Sequence, residues 1–232
     1  MMNLSERSKE IELMDGFQGT ENELELVLTD INRVNAMLGG NTITLDAVFR
    51  LLRKYPKKSY MILDVGCADG NMLREIALRA RKAKIIIKLI GLDLNDLSLV
   101  IAKRKSLKFP EIEYLNQDVF TLENMDLDIV ITTLTLHHFR DRDIPKFLHR
   151  FSEMASIGVV INDLQRSRLA YYLFRAFSVI FIKTYTAKHD GLISILRGFK
   201  KKELQKFADQ LPNIDHQISW KWAFRFRWVL QK

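Results

Sequence analysis

The 232-residue chain is poor in cysteine, proline and glycine, and it has no long apolar run. Its single cysteine, Cys67, excludes an intrachain disulfide and suits a reducing, cytoplasmic location. Four prolines and ten glycines leave little material for a long flexible linker. Residues 1–7 lack the apolar core of a secretory signal. Residues 169–182 are the most apolar stretch, but they are too few for a membrane span and include Arg175. We therefore expect neither export nor a membrane span.

The composition is that of a folded, basic protein. A hydrophobic fraction of 47% excludes a disordered chain, and 36 basic against 28 acidic residues leave a formal charge of +8. This charge raises the question of nucleic-acid binding. However, the basic residues occur in small groups on predicted surfaces, and no recognisable nucleic-acid module accompanies them. A small-molecule substrate is therefore the favoured partner, nucleic acid stays open, and the sequence does not set the oligomeric state.

The hydrophobic pattern predicts an α/β fold with a Rossmann-like, mostly parallel seven-stranded sheet. Short apolar strands alternate with amphipathic helices, which is typical of a parallel sheet covered on both faces. The chain should end in an antiparallel hairpin with only Lys221 between its two strands. The predicted strands are residues 60–65, 85–93, 112–118, 128–135, 157–163, 214–220 and 222–230.

Helical segments flank this predicted sheet. Residues 1–55 form an N-terminal helical cap, in which Thr20 caps the first long helix, and residues 56–232 form the Rossmann-like domain. An insertion at residues 164–202 is long enough to be a lid over the crevice. It contains one predicted helix, residues 166–182, whose many apolar and aromatic side chains we expect to pack on the core. The alternative for that helix is an apolar acceptor pocket partly exposed to membrane lipid.

A glycine-containing turn follows the first predicted strand at residues 63–70. Gly66 and Gly70 allow a sharp turn and a close approach to a ligand. The dinucleotide pattern G-x-G-x-x-G would need glycines at Ala68 and Asn71, and no phosphate loop of the G-x-x-x-x-G-K-[ST] type occurs. Pyrophosphate binding is thereby disfavoured.

Acidic residues end the next two strands. A carboxylate at Asp93 can accept both hydroxyls of a ribose, and Asp118 can accept a hydrogen bond from an exocyclic amine. A ligand with a ribose, an adenine and an amino-acid end, but without phosphate, would satisfy these features.

The sequence resembles the class I S-adenosylmethionine-dependent methyltransferases over about residues 60–163. The resemblance lies in D-x-G-x-x-x-G at 64–70, G-L-D at 91–93, Q-D-V at 117–119 and the stretch 127–139. It implies S-adenosyl-L-methionine as cofactor and S-adenosyl-L-homocysteine as product. By this resemblance, the methionine end of the cofactor would contact Asp64, Gly66, Cys67, Ala68 and Gly70. The ribose would contact Asp93, and the adenine would contact Leu94, Val119 and Asp118. The sulfonium would lie beside Thr133 and Leu134. Ala68 replaces the middle glycine of the family loop, which is a mild departure.

A narrower resemblance concerns residues 12–15, 35–40, 163–166 and 189–199. These segments are similar to a bacterial group often associated with type III polyketide synthases, which methylates phenolic or quinone-like products. It implies a small aromatic or phenolic acceptor and O-methylation.

A hydroxyl acceptor must lose its proton, and histidine is the usual base near neutral pH. His138 is the first candidate, with a structural role in its loop as the alternative, and His189 beside Asp190 is the second. Asp163 and Arg197 are further candidates for contact with the substrate, together with Asp190. Because no cluster has convincing metal-ligand spacing, we predict a metal-independent reaction.

Two other functions stay open at this point. An RNA methyltransferase acting on ribose or guanine would use the basic charge, although residues 133–136 do not match the polar-Pro-Pro-aromatic loop of amino-adenine methylation. A non-catalytic cofactor-binding protein is the other alternative, since a fold does not settle function.

Overall fold

A computed structural model describes residues 4–123 and 125–232 of the chain. Its strands are β1 Ser59–Val65, β2 Ile86–Leu92, β3 Ile112–Leu115, β4 Leu127–Thr133, β5 Ala155–Leu164, β6 Asp215–Lys221 and β7 Arg225–Gln231. They form one seven-stranded sheet in the order β3-β2-β1-β4-β5-β7-β6. Strands β1 to β5 pair in parallel, and β7 runs antiparallel to both β5 and β6. The predicted fold class is confirmed.

The centre of the sheet is buried on both faces. Ile62 and Leu63 in β1, and Ile129 and Val130 in β4, are fully inaccessible to solvent. Strand order reverses between these two strands, because β1 pairs with β2 on one side and with β4 on the other. At such a switch point the carboxyl ends of the strands open a ligand crevice.

Helices cover both faces of the sheet. They are α1 Glu21–Met37, α2 Gly40–Lys54, α3 Asn71–Lys82, α4 Asp96–Lys105, α5 Ile144–Met154, α6 Arg168–Phe181, α7 Tyr185–Arg197 and α8 Lys201–Ala208. The insertion therefore holds two helices rather than the single predicted one. Gly191 lies inside α7, where an added Cβ would stand 2.2 Å from the Phe174 ring. This glycine permits close packing of α6 and α7, and the sequence pattern predicts no helix at this position.

Several strand boundaries differ from the predictions, and the two largest differences lie at the end of β3 and at the hairpin. Strand β3 ends at Leu115 rather than at Asp118. The hairpin ladder pairs Lys221 with Arg225, so a turn at residues 222–224 joins β6 and β7. The prediction that Lys221 alone separates the strands is wrong.

Of the two N-terminal helices, α2 packs directly on the sheet, and α1 packs on the helices α2, α4 and α7. The Thr20 side chain accepts a hydrogen bond from the backbone N–H of Glu23, and the Glu23 carboxylate accepts one in return, which confirms the predicted cap. Val48 and Leu52 of α2 share one hydrophobic cluster with Ile62. Residues 1–3, part of the predicted cap, lie outside the described residues, and the division at residue 55 stays a prediction.

The lid helix α6 buries a narrow face. Phe174 and Phe177 pack against a cluster that includes Val27, as predicted for core-facing aromatic residues. Tyr172, in contrast, is 55% exposed. The expectation of core packing is therefore wrong for the outer side of α6, because its inner side alone meets the rest of the chain. Within the described ranges, no helix combines the length and apolarity that crossing a membrane requires.

Candidate active site

A cavity of about 950 Å³ opens at the carboxyl ends of the central strands. Val65, Leu92 and Thr133 end β1, β2 and β4 respectively and line this cavity. Residues of α1, α6, α7 and the turn at 222–224 complete its walls. The lid therefore lies over the crevice, as the sequence predicts for an insertion after a strand's carboxyl end.

The turn after β1 depends on two glycines. Gly66 and Gly70 have φ angles of +76° and +73°, in the left-handed region that glycine adopts without strain. A Cβ on Gly70 would also stand 2.0 Å from the hydroxyl of Tyr114. Gly66, Cys67 and Ala68 line the cavity, while Gly70 shapes the turn from behind.

Asp64 is the most perturbed carboxyl group of the site. It is buried beside the cavity, and its Oδ1 has no hydrogen-bond partner among the described residues. Burial, reinforced by the charge of Asp93, raises the pKa of Asp64 to about 8. An unpartnered buried carboxyl group at a cavity suits a ligand that brings a positive charge.

Asp93 connects two loops at the cavity. Its carboxylate accepts hydrogen bonds from the backbone N–H of Ala68 at 2.8 Å and from that of Asn95 at 2.9 Å. The adjacent Leu94 lines the cavity and is 70% exposed. An apolar side chain held open at this edge suits the face of a planar ring.

Asp118 and Val119 form the next part of the lining. Asp118 is exposed, and its Oδ1 accepts a hydrogen bond from the backbone N–H of Phe120 at 2.9 Å. Val119 is buried. The structure thus brings the predicted cofactor residues, apart from Gly70, to one cavity: Asp64, Gly66, Cys67, Ala68, Asp93, Leu94, Asp118, Val119, Thr133 and Leu134.

The loop after β4 is fixed from both sides. The Oγ1 of Thr133 lies 3.0 Å from that of Thr44 in α2. Leu134 has a φ of +57°, and its N–H donates to the carbonyl of Asn162 in β5. This loop leads directly to the two histidines.

His137 is a buried, charged residue. Its Nδ1 lies 2.8 Å from Asp163 Oδ1, and its Nε2 lies 3.3 Å from Glu12 Oε1. Burial alone would lower the pKa of His137, but the carboxylates of Asp163 and Glu12 outweigh burial and raise the pKa to about 9. The imidazole is therefore protonated near neutral pH and has no free lone pair for a substrate.

His138 is half-buried at the cavity and has a different environment. Its Nδ1 lies 2.8 Å from Asp15 Oδ1, while its Nε2 lies 3.8 Å from Glu12 Oε2. Burial raises the pKa of Asp15, but His138 and Arg197 more than offset this and lower it to about 2. Asp15 therefore stays ionised and orients the ring of His138.

Arg197 and Asp190 hold the N-terminal segment in place. Arg197 donates to Asp15 Oδ2 at 3.1 Å and to the carbonyls of both histidines. The Asp190 carboxylate accepts hydrogen bonds from the backbone N–H groups of Leu13 and Met14. Their predicted substrate contacts stay untested, but the polar groups of both residues are engaged inside the protein.

The remaining predicted residues lie in different places. Asp163 is buried against His137 and is absent from the cavity lining. His189 contacts Asp190 Oδ1 at 2.9 Å and does not line the cavity either.

The sequence interpretation missed two groups of the site. Glu12 and Asp15 reach the histidines from the N-terminal segment, and the similarity of residues 12–15 to a bacterial group was the available signal. The second group is the side chain of Arg225, which is buried and lines the cavity. Its Nε and Nη1 have no hydrogen-bond partner among the described residues. Burial lowers its pKa to about 10.

One cluster in the described ranges has the make-up of a metal site. Ligand atoms of Glu12, His137 and His138 lie within 4.8 Å of one another. The protonated His137 would have to release a proton to bind a metal ion. Asp163 and Asp15 contact the Nδ1 atoms of the two histidines. The prediction of a metal-independent reaction stays untested.

A family of proteins described as containing a methyltransferase domain matches residues 62–158. The match covers less than half of the chain. Together with the cavity at the switch point and the relatives below, it supports the class that the sequence resembles. The chain is a class I S-adenosylmethionine-dependent methyltransferase.

Two curated relatives are similar to this methyltransferase along most of its length. The ubiquinone/menaquinone biosynthesis C-methyltransferase UbiE of Campylobacter jejuni strain 81-176 is 27% identical over 188 residues, which cover 73% of this chain and 75% of the relative. The carboxy-S-adenosyl-L-methionine synthase of Wolinella succinogenes is 28% identical over 170 residues, which cover 67% of this chain and 69% of the relative.

Solved structures support the fold. The plantazolicin methyltransferase BpumL in complex with SAH superposes with a TM-score of 0.65 at 12% identity, over 95% of this chain and 99% of the other. The magnesium protoporphyrin IX methyltransferase ChlM of Synechocystis PCC 6803 with bound SAM superposes with a TM-score of 0.60 at 14% identity, over 97% of this chain and 99% of the other.

The residues of the site fit S-adenosylmethionine. The unpartnered Asp64 carboxyl group suits a positively charged amino-acid end, and the Gly66 turn, where an added Cβ would stand 2.5 Å from Thr135, leaves no room for a side chain. S-adenosylmethionine is the cofactor of this methyltransferase.

Proposed function

We propose that this methyltransferase O-methylates a small, apolar aromatic acceptor with phenolic or quinone-like character. The cavity carries the proposal: its 950 Å³ stands near the top of the range of about 300–1,000 Å³ for small-molecule sites. That volume provides room for an acceptor beside the cofactor. The part beneath the lid is apolar, with lining residues Ile31, Val34, Phe174, Phe177, Ile182 and Phe224.

The assignment of cofactor residues follows the resemblance. Asp64 and the turn with Gly66, Cys67, Ala68 and Gly70 would hold the methionine end, and Asp93 would accept the ribose hydroxyls. Leu94, Val119 and Asp118 would enclose the adenine, with Thr133 and Leu134 beside the sulfur. The support is that all but Gly70 line one cavity. When bound, S-adenosylmethionine supplies a methyl group activated by a positively charged sulfur.

His138 would accept the proton of the acceptor hydroxyl. It lines the cavity, and Asp15 contacts Nδ1, so Nε2 is the atom left for the substrate. His137 would serve as a fixed positive charge, because its pKa of about 9 keeps it protonated. His189 is the second candidate for the base, although it lies outside the lining. Asp163, Asp190 and Arg197 would act by positioning these groups.

The relatives bear on the acceptor. UbiE is by its name a C-methyltransferase of ubiquinone and menaquinone biosynthesis, and ChlM is a magnesium protoporphyrin IX methyltransferase. One name refers to quinones and the other to a porphyrin, and both are cyclic conjugated compounds, which supports an acceptor with a conjugated ring. The similarity to the group associated with type III polyketide synthases supports a phenolic one.

Labelled-methyl transfer tests this function. The purified protein receives methyl-labelled S-adenosylmethionine with a panel of phenols and hydroquinones, with polar acceptors such as glycine and nucleosides, and with bulk RNA. We expect label in the phenolic products, and NMR of those products distinguishes oxygen from carbon methylation. Label in RNA alone, or in polar acceptors alone, would overturn the proposal.

A further inference from the structure

The outer face of α6 carries an apolar stripe that is open to solvent. Six residues at helical spacing form it: Leu169, Tyr172, Leu173, Ala176, Val179 and Ile180. Val179 and Ile180 are 72% and 75% exposed. A surface helix normally turns its apolar side to the core, and a contiguous exposed apolar patch marks an interaction site.

Positive charge borders this stripe. Arg168 and Arg175 are exposed and seven residues apart, so both lie along one side of the outer face, and the exposed Lys183 follows the helix. No aspartate or glutamate occurs from Ser167 up to Asp190, which is itself buried. An apolar helix face with a basic border is typical of helices that lie in a membrane interface.

The cavity opens beside the same surface. Leu173 and Trp222 both line the cavity, and they are 48% and 63% exposed, so they stand at its mouth. Trp220, on the adjoining hairpin, is 49% exposed. Tryptophan is enriched where membrane meets water. An acceptor that leaves a bilayer at this surface would enter the cavity without crossing water.

We propose that the outer face of α6, with Trp222, docks on an anionic lipid bilayer and draws an apolar acceptor from it. The docking follows from the surface itself, and the delivery of the acceptor rests on the proposed function. A second copy of the chain is the less favoured occupant, because antiparallel twofold pairing through this face would bring the Arg168 and Arg175 borders of two copies to the same side, and residues 167–189 supply no acidic side chain to offset them.

Vesicle sedimentation of the full chain tests the docking. Vesicles of phosphatidylcholine mixed with phosphatidylglycerol should bind the protein, phosphatidylcholine alone should bind it more weakly, and added salt should weaken the anionic binding. Ile180→Glu should lower the partition coefficient about tenfold or more, because an exposed apolar contact is replaced by a charge. The double variant R168Q/R175Q should lose the preference for anionic vesicles.

Ile86→Glu is the matched control. Ile86 is 70% exposed, but it begins β2 and so lies at the amino edge of the sheet, away from the cavity mouth. This variant should bind vesicles like the unaltered protein. Circular dichroism and calorimetric binding of S-adenosylhomocysteine establish that each variant is folded.

Three outcomes overturn the docking: no vesicle binding, equal loss in Ile86→Glu and Ile180→Glu, or a dimer in light scattering that Ile180→Glu dissolves. The methylation panel, run without vesicles on dispersed acceptors, separates this result from the proposed function. Methylated phenols without vesicle binding refute the docking alone. Vesicle binding without any methylated aromatic acceptor refutes the function alone.

Discussion

Replacing Asp64 with asparagine should stabilise the cofactor-free methyltransferase at alkaline pH while weakening its hold on the cofactor. Asp64 is buried beside Asp93, and its Oδ1 has no partner among the described residues. Its ionised form is therefore costly until a positively charged group arrives. Asparagine keeps the shape of the side chain and removes that charge.

The size of the effect follows from the pKa. The carboxyl group has a pKa of about 8 in the fold against an ordinary 3.8, and each pH unit is worth 1.36 kcal/mol. The upper bound is on the order of 6 kcal/mol, and relaxation with water entry reduces it, so we expect about 2–4 kcal/mol. The unfolded chain releases this proton near pH 4, whereas the folded chain keeps it to about pH 8. The penalty is thus absent below pH 4, grows between the two values and is complete above pH 8.

Urea unfolding at several pH values measures this penalty. The difference in free energy of unfolding between Asp64→Asn and the unaltered protein should increase from about pH 4 to about pH 8. Calorimetry adds a second readout, because S-adenosylhomocysteine should displace about one proton from Asp64 near pH 7, and this release should be absent in the variant.

Asp209→Asn is the control, since Asp209 is an exposed carboxyl group on α8's C-terminal end. It should show neither effect. The reasoning about Asp64 would be refuted by a stability difference that does not change with pH, combined with cofactor binding that releases no proton.

Three more predictions concern individual side chains. His138→Asn should lower the rate of methyl transfer about 10²–10⁴-fold and leave the calorimetric affinity for S-adenosylhomocysteine unchanged. The control is His149→Asn, at an exposed histidine, which should behave like the unaltered protein. Equal activity of the two variants would argue against His138 as the base. His137→Gln should lower the free energy of unfolding by about 3–5 kcal/mol near pH 7. The pKa of His137 in the folded protein, about 9, exceeds the ordinary 6.5, so this stabilisation is complete below pH 6.5 and is lost as the pH rises through 9. Urea unfolding that gives the same loss of stability at every pH would contradict this prediction. Burial keeps the pKa of the Cys67 thiol well above its ordinary value, so a thiol reagent should react only after unfolding, and rapid reaction of the native protein would contradict this.

The order of strands and helices was predictable because local patterns determine it. Helix α1 begins at Glu21, directly after the Thr20 cap that the sequence predicts. The end of β3 was not predictable in the same way. Residues 116–118 continue a strand-like pattern, but Asp118 instead accepts a hydrogen bond from the Phe120 N–H in a local turn.

Contacts between distant segments were beyond the sequence pattern. Glu12 and Asp15 meet the two histidines only because Asp190 and Arg197 hold the N-terminal segment under the lid. Likewise, the apolar residues on the outer side of α6 have the spacing that is typical of a core-facing helix. Which sides of a helix are buried depends on the elements that surround it, and the local sequence does not specify them. The strand-end acids were predictable, because parallel strands bring their carboxyl ends to one edge.

A crystal structure with S-adenosylhomocysteine tests the central claim most directly. It should show the amino group of the ligand at Asp64, the ribose hydroxyls at Asp93 and the adenine between Leu94 and Val119, with the space beneath the lid still open toward His138. A ligand bound outside this cavity, or one that leaves Asp64 without a partner, would contradict the account.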